Sequence, residues 1–208
     1  MRTKDKWKRN FIILGGINVL IIVTLATLIF WPTERIKHSP QPSDHYNEGA
    51  SSEFVVKTTR QNLNELVNAY VDNFLEGTNH QYSISLEEDV HLQGELPIFT
   101  TTVPLSIHLE PLVQDNGDIV LKQRSISVGL LELPNKKIME YIKKYLTMPD
   151  WVTVNPAEEE IYVAISDMDI KSNFRVSVEH LDLEANNIAI KIFIPYKTLG
   201  LEGVEKRK

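Results

Sequence analysis

The longest apolar run in the chain covers residues 11–31, twenty-one positions without a charged side chain. At a rise of about 1.5 Å per residue, a helix of that length extends roughly 30 Å, the thickness of a bilayer's hydrocarbon core. Five basic residues and one acid precede the run, whereas charges nearly balance just after it. The pattern predicts a transmembrane helix at residues 11–31, a cytoplasmic basic tail at residues 1–10 and an extracytoplasmic remainder.

A cleaved signal peptide is the competing interpretation of this run. Its apolar part is usually about 7–15 residues long and ends at a small-x-small cleavage site. Here the run is longer, and it ends with Leu28, Ile29, Phe30 and Trp31, which are bulky. The sequence therefore favours an uncleaved anchor. Cysteine is absent, which excludes a lipid-modified cysteine, disulfides and thiolate chemistry.

Composition changes sharply after the apolar run. Residues 32–52 contain three prolines and many short polar side chains, which is typical of an extended linker. Residues 53–200 carry regular apolar patterns and are predicted to form one extracytoplasmic domain, followed by a C-terminal tail at residues 201–208. A domain of about 150 residues buries roughly 70% of its unfolded surface, which is enough for a packed core.

The first of two helical patterns in this domain is an apolar stripe from Leu63 to Leu75. Thr58 and Gln61 have the spacing of a capping box just before it. Gly77 follows the stripe and is predicted to end the helix.

The second stripe runs from Ile138 to Leu146, with Asn135 as its predicted N-cap and Pro149 as its stop. It aligns with the first when Leu63 is placed on Ile138, an offset of 75 residues. The strand before each helix and an acidic turn after it also match. We interpret this as an internal duplication; the alternative is that any two amphipathic helices align once their stripes are matched.

Period-two alternation predicts strands over most of the remaining domain. The dipeptides Asn116-Gly117 and Asn186-Asn187 are predicted to form type I′ turns in two hairpins, because both tolerate positive φ. Apolar parity changes along the strand after the first turn, which predicts a β-bulge near residues 123–125. Residues 188–194 are apolar on one face and partly apolar on the other, which predicts a central strand that is covered on both sides.

These elements predict an α+β fold. An N-terminal transmembrane helix precedes an extracytoplasmic domain of two similar helix-plus-antiparallel-meander units with a curved sheet. The plan is similar, at the level of fold alone, to the tubular lipid-binding superfamily.

The net charge of the chain argues against anionic binding partners. The net charge is −6, and without residues 1–10 the 17 basic and 27 acidic residues leave −10. An acidic exported domain does not suit nucleic acid or anionic lipid headgroups. We therefore expect no nucleic-acid partner.

No motif has the residue types and spacing of a common catalytic mechanism. No serine occupies a Gly-x-Ser-x-Gly elbow, and Gly15-Gly16 lies within the apolar run. No histidine pair has the His-x-x-x-His spacing of a metal site, which favours surface histidines over a shared metal site. The histidines are His38, His45, His80, His91, His108 and His180. The sequence therefore predicts no catalytic, cofactor-binding or metal-ligating residues.

Carboxylates cluster at Glu87–Asp89, at Glu158–Glu160 and at Asp167 with Asp169. Paired carboxylates serve glycoside hydrolysis or Ca²⁺ binding, but charged turns at strand ends are more common. The favoured interpretation is charged turns. Asp167 and Asp169 are the first candidates if any cluster is functional.

The helix entries carry a family resemblance. Segments 58–66, 131–142 and 149–152, together with the basic start and single apolar run, resemble the YpmS-like family of bacterial membrane-anchored proteins over nearly the whole chain. The resemblance implies a shared topology. It implies no functional residues, since the family has no assigned activity.

Three functions fit these observations. The first is a non-catalytic accessory protein, held in the bilayer by residues 11–31, that binds a lipid or another apolar envelope molecule. The alternative is a scaffold or regulator of an envelope enzyme or transporter through protein contacts. An enzyme that uses Asp167 and Asp169 is expected least.

Overall fold

The computed structural model describes residues 4–29, 51–78, 81–98, 101–129, 134–170 and 173–200. The chain divides into two compact units, residues 1–34 and 35–208. Residues 32–50 of the predicted linker, the predicted tail at residues 201–208 and the side chains of His38, His45 and His80 lie outside the described residues.

Helix α1 (Lys4–Ile29) forms the described part of the first unit. Its apolar side chains from Phe11 to Val23 are exposed. Among the described residues, no helix combines the length and the apolar character that crossing a membrane requires. The predicted transmembrane segment covers residues 11–31, of which residues 30 and 31 are not described, and it stays a prediction.

The described part of the second unit contains two antiparallel sheets and two helices of more than two turns. In chain order its elements are β1 (Ser51–Thr58), α2 (Arg60–Phe74), β2 (Tyr82–Leu86), β3 (Val90–Ile98), β4 (Thr101–Val113), β5 (Ile119–Val128), α3 (Asn135–Tyr145), β6 (Val152–Asn155), β7 (Glu160–Val163), β8 (Arg175–Asp182) and β9 (Asn187–Pro195). The large sheet has the strand order β2-β3-β4-β5-β7-β6, and the small sheet has the order β1-β9-β8. The α+β class with antiparallel sheets is confirmed.

One cluster of buried side chains joins α3, the large sheet and one end of the small sheet. Ile138, Met139 and Ile142 of α3 are buried in it, whereas α2 has no fully buried residue. Burying one such side chain stabilises the folded state by roughly 1.5–3 kcal/mol. Of α2 and α3, α3 is therefore the helix that packing against the core stabilises more. The apolar positions of the predicted strands also contribute to this core. Its buried strand residues include Leu105, Ile107, Leu109, Val128, Ile161 and Ile188.

Helix α2 begins one residue later than the sequence predicts. Thr59 is the N-cap, and its hydroxyl oxygen accepts a hydrogen bond from the backbone N–H of Asn62 at 3.3 Å. Thr58 is the last residue of β1. The capping box of Thr58 and Gln61 is therefore wrong, because Thr58 is held in the small sheet. The helix ends at Phe74 with Leu75 as its C-cap, so Gly77 is not its immediate stop; Gly77 lies two residues past the cap, in the following turn, with φ +80°.

Helix α3 also begins one position away from the prediction. Pro134 occupies the N-cap position and Asn135 is the first helical residue. The side-chain amide of Asn135 lies 3.1 Å from that of Gln123, so it is used in a contact with β5 instead of a cap. The helix ends at Tyr145, before Pro149 is reached, so Pro149 is not its immediate stop.

Both predicted hairpins form, but with a different turn. In the β4–β5 hairpin, the N–H of Gly117 donates to the carbonyl of Gln114 at 2.9 Å; Gly117 has φ +83°, whereas Asn116 is not left-handed. In the β8–β9 hairpin, the N–H of Asn186 donates to the carbonyl of Leu183 at 3.3 Å, and Asn186 has φ +51°. The type I′ assignment is wrong, because each loop is longer and a single left-handed residue closes it.

The predicted β-bulge is confirmed. His108 of β4 pairs with Ser125, and the next residue, Leu109, pairs with Gln123. Arg124 is therefore the extra residue on β5. This extra residue explains the change of apolar parity in the sequence.

Strand β9 is central in the small sheet, as predicted. Ile188 and Ala189 are adjacent residues of β9, so their side chains lie on opposite faces of the sheet, and both are buried. Both faces are therefore covered at this end of the strand.

The two helix-plus-meander units are not built alike. After α2, strands β2 to β5 are consecutive neighbours in the large sheet. After α3, β6 and β7 join the large sheet, whereas β8 and β9 belong to the small sheet. In addition, β1, which precedes the first helix, pairs with β9. The strand order therefore does not follow the predicted duplication.

Candidate functional site

The predicted carboxylate clusters lie in turns at strand ends. Glu87–Asp89 connects β2 to β3, and Glu158–Glu160 leads into β7. Asp167 and Asp169, the first candidates, are exposed. Within the described ranges, no three His, Asp or Glu side chains are placed so that they hold a metal ion. These positions agree with the interpretation as charged turns.

His91 and His108 form a cluster that the sequence did not reveal. They pair across β3 and β4, and their rings stack with centroids 4.0 Å apart. His91 Nε2 lies 2.8 Å from Ser106 Oγ, and His108 Nδ1 lies 3.1 Å from a carboxylate oxygen of Asp89. In a catalytic triad one imidazole contacts both the serine and the carboxylate. Here the two contacts belong to different rings, so the cluster does not form a triad. Only the strand register, which the sequence leaves open, brings it together.

Asp118 is the centre of a second polar cluster and is 2% exposed. It accepts hydrogen bonds from Asn116 Nδ2 at 2.7 Å, from the backbone N–H of Ser166 at 2.9 Å and from the hydroxyl of Tyr162. Burial, followed by the hydrogen bond to Asp118, raises the pKa of Tyr162 to about 12. These bonds satisfy the buried carboxylate and tie the β4–β5 turn to β7.

A cleft of about 460 Å³ lies between the β4–β5 turn and the small sheet. Lys191 lines it, and its Nζ lies 3.5 Å from Glu53 and 4.0 Å from Glu179. Val113 and Phe193 add apolar surface. Its size is within the range of small-molecule sites, but these charges do not suit a purely apolar ligand.

The edge strands of the two sheets differ in what covers their outer backbone groups. The edge of β2 is covered most directly, by side chains of α2. Asn68 of α2 donates to the carbonyl of Ile84 at 2.6 Å and accepts from its N–H at 3.0 Å. Asn64 accepts from the N–H of Leu86 at 3.2 Å. Side-chain amides thus occupy backbone groups that a neighbouring strand would use.

The outer edge of β8 is covered by the β4–β5 turn. The N–H of Val178 donates to the carbonyl of Gly117 at 2.8 Å. The approach is close, because a Cβ added to Gly117 would lie 2.4 Å from Cβ of Ser177. At the far end of the large sheet, β6 has four residues and presents a short edge.

Strand β1 is the exception. It is eight residues long and, in the described part of the chain, pairs on one side alone, with β9. Phe54, Val55 and Val56 are 50%, 52% and 43% exposed. Long, exposed apolar edges are rare in proteins that do not use them, since they offer unpaired backbone groups to other chains. We therefore identify β1 as the candidate binding site.

An apolar strip runs from this edge across one face of the small sheet. Phe54 pairs with Ile192, which pairs with Val176 of β8. Cross-strand partners point to the same face, so these three side chains form a row of which Phe54 is the exposed end.

Comparison with known proteins supplies the family. Residues 5–194 match the model described as "Uncharacterized protein conserved in bacteria (DUF2140)". The chain belongs to the DUF2140 family. It is 28% identical over 191 residues to the uncharacterized protein YpmS of Bacillus subtilis (strain 168), a match that covers 92% of this chain and 98% of YpmS. The resemblance to the YpmS-like family is therefore confirmed. No solved structure matches the chain.

The DUF2140 match extends from α1 into β9 and so includes β1. The sequence predicts a strand before the first helix, and β1, with Val55 and Val56, takes that position. An apolar run with both parities signals burial on both faces or exposure at an edge, and sequence alone does not distinguish these.

Proposed function

We propose that this DUF2140 protein is an extracytoplasmic accessory protein, anchored in the cell membrane, that acts by binding another protein of the envelope along β1. The observation that carries the proposal is the outer edge of β1, which pairs with no strand among the described residues, beside edges that are covered or short. An extended protein segment bonds the N–H and C=O groups of such an edge and covers its apolar side chains. Lipid tails supply no such bonds.

The membrane anchor in this proposal is supported by α1. Its exposed apolar side chains from Phe11 to Val23 suit a lipid environment. Its polar side chains bond within the helix: Asn18 Nδ2 donates to the carbonyl of Leu14 at 3.2 Å, and the Thr24 hydroxyl donates to that of Leu20 at 2.8 Å. Residues 1–10 then lie in the cytoplasm by the positive-inside rule.

Topology is tested by cysteine labelling, because the chain has no cysteine of its own. We expect a membrane-impermeant maleimide to label Asp72→Cys in intact cells. It should label Thr3→Cys only after the cells are lysed. Asp72 is an exposed residue of α2. Labelling of both variants or neither in intact cells, or recovery of the chain in the soluble fraction, contradicts the anchor.

Binding is tested by a photo-crosslinking amino acid placed at Val55 in the full chain in its membrane. Glu65, an exposed residue of α2, is the matched control position. We expect a discrete protein adduct from position 55, absent from position 65 and lost when Phe54→Lys is added. The absence of any protein adduct at position 55 contradicts the proposal.

A lipid or another apolar envelope molecule is the second candidate, and the strip of Phe54, Ile192 and Val176 favours it. Native mass spectrometry of the full chain, with lipid extraction, tests it. A near-stoichiometric apolar molecule that Phe54→Lys displaces supports this candidate. A clean apo mass after incubation with envelope lipids contradicts it.

A further inference from the structure

We propose that β1 pairs antiparallel with β1 of a second copy of this chain, about a two-fold axis at Val55. The inference rests on the proposed function, since it names the protein that occupies the open edge. The result is a continuous six-stranded sheet in which the small sheets of two copies meet. Such a contact is isologous and closes after two copies.

The sequence of β1 is complementary to itself in this register. With Val55 opposite Val55 of the second copy, Glu53 lies opposite Lys57, and Phe54 lies opposite Val56. The opposite charges occur twice, once on each side of the axis. Opposite-charge pairs and pairs of an aromatic with a β-branched side chain are favourable neighbours across antiparallel strands.

Other registers lose this match. Centring the axis on Glu53 places like charges opposite each other, and centring it on Lys57 does the same. Centring it on Phe54 places Glu53 opposite Val55, and centring it on Val56 places Lys57 opposite Val55. Sliding one β1 strand along the other by one residue from the Val55 register also moves Glu53 away from Lys57. Charge complementarity therefore selects the axis at Val55, since opposed like charges are destabilising.

The described side chains are in position for this pairing. Val55 is 52% exposed, and the Glu53 side chain is 49% exposed while its carboxylate lies 3.5 Å from Nζ of Lys191. Lys57 is exposed. On pairing, Glu53 lies between Lys191 of its own copy and Lys57 of the second copy. On the other face, the strip that begins at Phe54 continues into the second copy.

The paired strands alone form a small interface, so we expect a weak dimer in dilute solution. Two copies anchored in one membrane are confined to a layer, which raises their effective concentration without new contacts. The test is therefore made on the full chain in the membrane.

The experiment introduces Val55→Cys into the cysteine-free chain and applies a mild oxidant to intact membranes. Directly opposed residues have Cβ atoms about 4.5–5.5 Å apart, close enough for a disulfide after a small adjustment. Lys57→Cys is the matched control on the same strand and face. Its two copies would lie roughly 13 Å apart along the strand, too far for a disulfide. We expect a band at twice 23.8 kDa, at least roughly tenfold stronger for Val55→Cys than for Lys57→Cys.

Charge reversal supplies the second measurement, with differently tagged copies that all carry Val55→Cys. Glu53→Lys places lysines opposite each other, and Lys57→Glu places glutamates opposite each other, so each variant alone should lose most of the dimer. Co-expressed, the two variants restore both opposite-charge pairs. We expect the mixed dimer to recover while each self-dimer stays weak. Equal band intensity in all combinations overturns the pairing.

Failure of this inference is distinguishable from failure of the proposed function. If position 55 crosslinks to a different envelope protein and Val55→Cys gives no self-dimer, the second copy is the wrong partner and binding at β1 stands. If position 55 gives no protein adduct of any mass and no disulfide dimer forms, both fail.

Discussion

The side-chain amide of Asn68 bonds both backbone groups of Ile84, donating to its carbonyl at 2.6 Å and accepting from its N–H at 3.0 Å. An amide in this position has the hydrogen-bonding pattern of a residue on a neighbouring strand. Helix α2 therefore serves as the last member of the large sheet, although it contributes no fully buried side chain.

Asn68→Ala removes this pairing. Two partly buried backbone groups lose their partner, so we expect the free energy of unfolding to fall by about 1–3 kcal/mol. The measurement is urea unfolding of the detergent-purified chain, followed by tryptophan fluorescence. Asn73→Ala, at an exposed position of the same helix, is the control and should change stability little. Equal effects of the two substitutions would show that the amide pairing does not stabilise the sheet.

Gly117→Ala tests the close approach of the β4–β5 turn to β8. Gly117 and Gly129 both have positive φ, but a Cβ at Gly117 would lie 2.4 Å from Ser177, whereas Gly129 has open space. Gly129→Ala therefore reports backbone strain alone. We expect Gly117→Ala to cost about 1–3 kcal/mol more, because a clash is added.

The rescue for this pair is Ser177→Gly, which removes the clashing Cβ. In the Gly117→Ala background it should recover part of the lost stability in the same unfolding measurement. A double variant that is less stable than either single variant argues against a steric cause.

Thr59→Ala tests the position of the α2 N-cap. Loss of the hydrogen bond that the backbone N–H of Asn62 donates to the Thr59 hydroxyl oxygen should lower the free energy of unfolding by about 1 kcal/mol. Thr58→Val keeps a β-branched side chain at the end of β1 and should change it by less than about 0.5 kcal/mol. Thermal unfolding of the two variants, measured side by side, decides which threonine caps the helix. The reverse order would restore the capping box that the sequence predicts.

The raised pKa of Tyr162 predicts that the folded chain loses stability at high pH. Its pKa is about 12 in the folded chain, against an ordinary value of 10.0. The folded state therefore holds the proton more tightly, and this contribution to stability is complete below pH 10 and is lost as pH rises through about 12. We expect wild-type stability to fall more steeply over this interval than that of Tyr162→Phe.

Absorbance titration of tyrosinate checks the same assignment without unfolding the chain. The difference between wild type and Tyr162→Phe should titrate near pH 12. Burial also raises the pKa of Tyr82, so Tyr82→Phe is the comparison for a general effect of buried phenols. A difference curve centred near pH 10 contradicts the raised pKa of Tyr162.

Local patterns in the sequence predicted local structure well. The parity change on β5 located the extra residue Arg124, because each strand residue points opposite to the one before it. The spacing of apolar residues at three and four positions located α2 and α3, because such residues share one face of a helix. The cap of α2 was displaced by one residue because Thr58 and Thr59 are chemically equivalent, and pairing in the small sheet decides between them. The cap of α3 was displaced because the side chain of Asn135 contacts Gln123 of β5 instead.

The candidate site depends on contacts that local patterns do not contain. The cover over β2 requires Asn68 to meet Ile84, and the cluster of His91 and His108 requires the register of β3 on β4. An edge strand is defined by which strand fails to pair with it, which is a property of the whole sheet. The residues of β1 were visible in the sequence, but their exposure was not.

The pairing of β1 with β9 also governs the order in which the domain is completed. Ser51 pairs with Pro195 and Thr58 with Ile188, so the earliest strand depends on the last described one. As the chain is synthesised, β1 is made long before its neighbour β9 exists. Contacts so distant along the chain form late and slowly. A chain that stops short of residue 187 lacks β9, so β1 then has no partner strand from its own chain and both of its edges stay open to other chains.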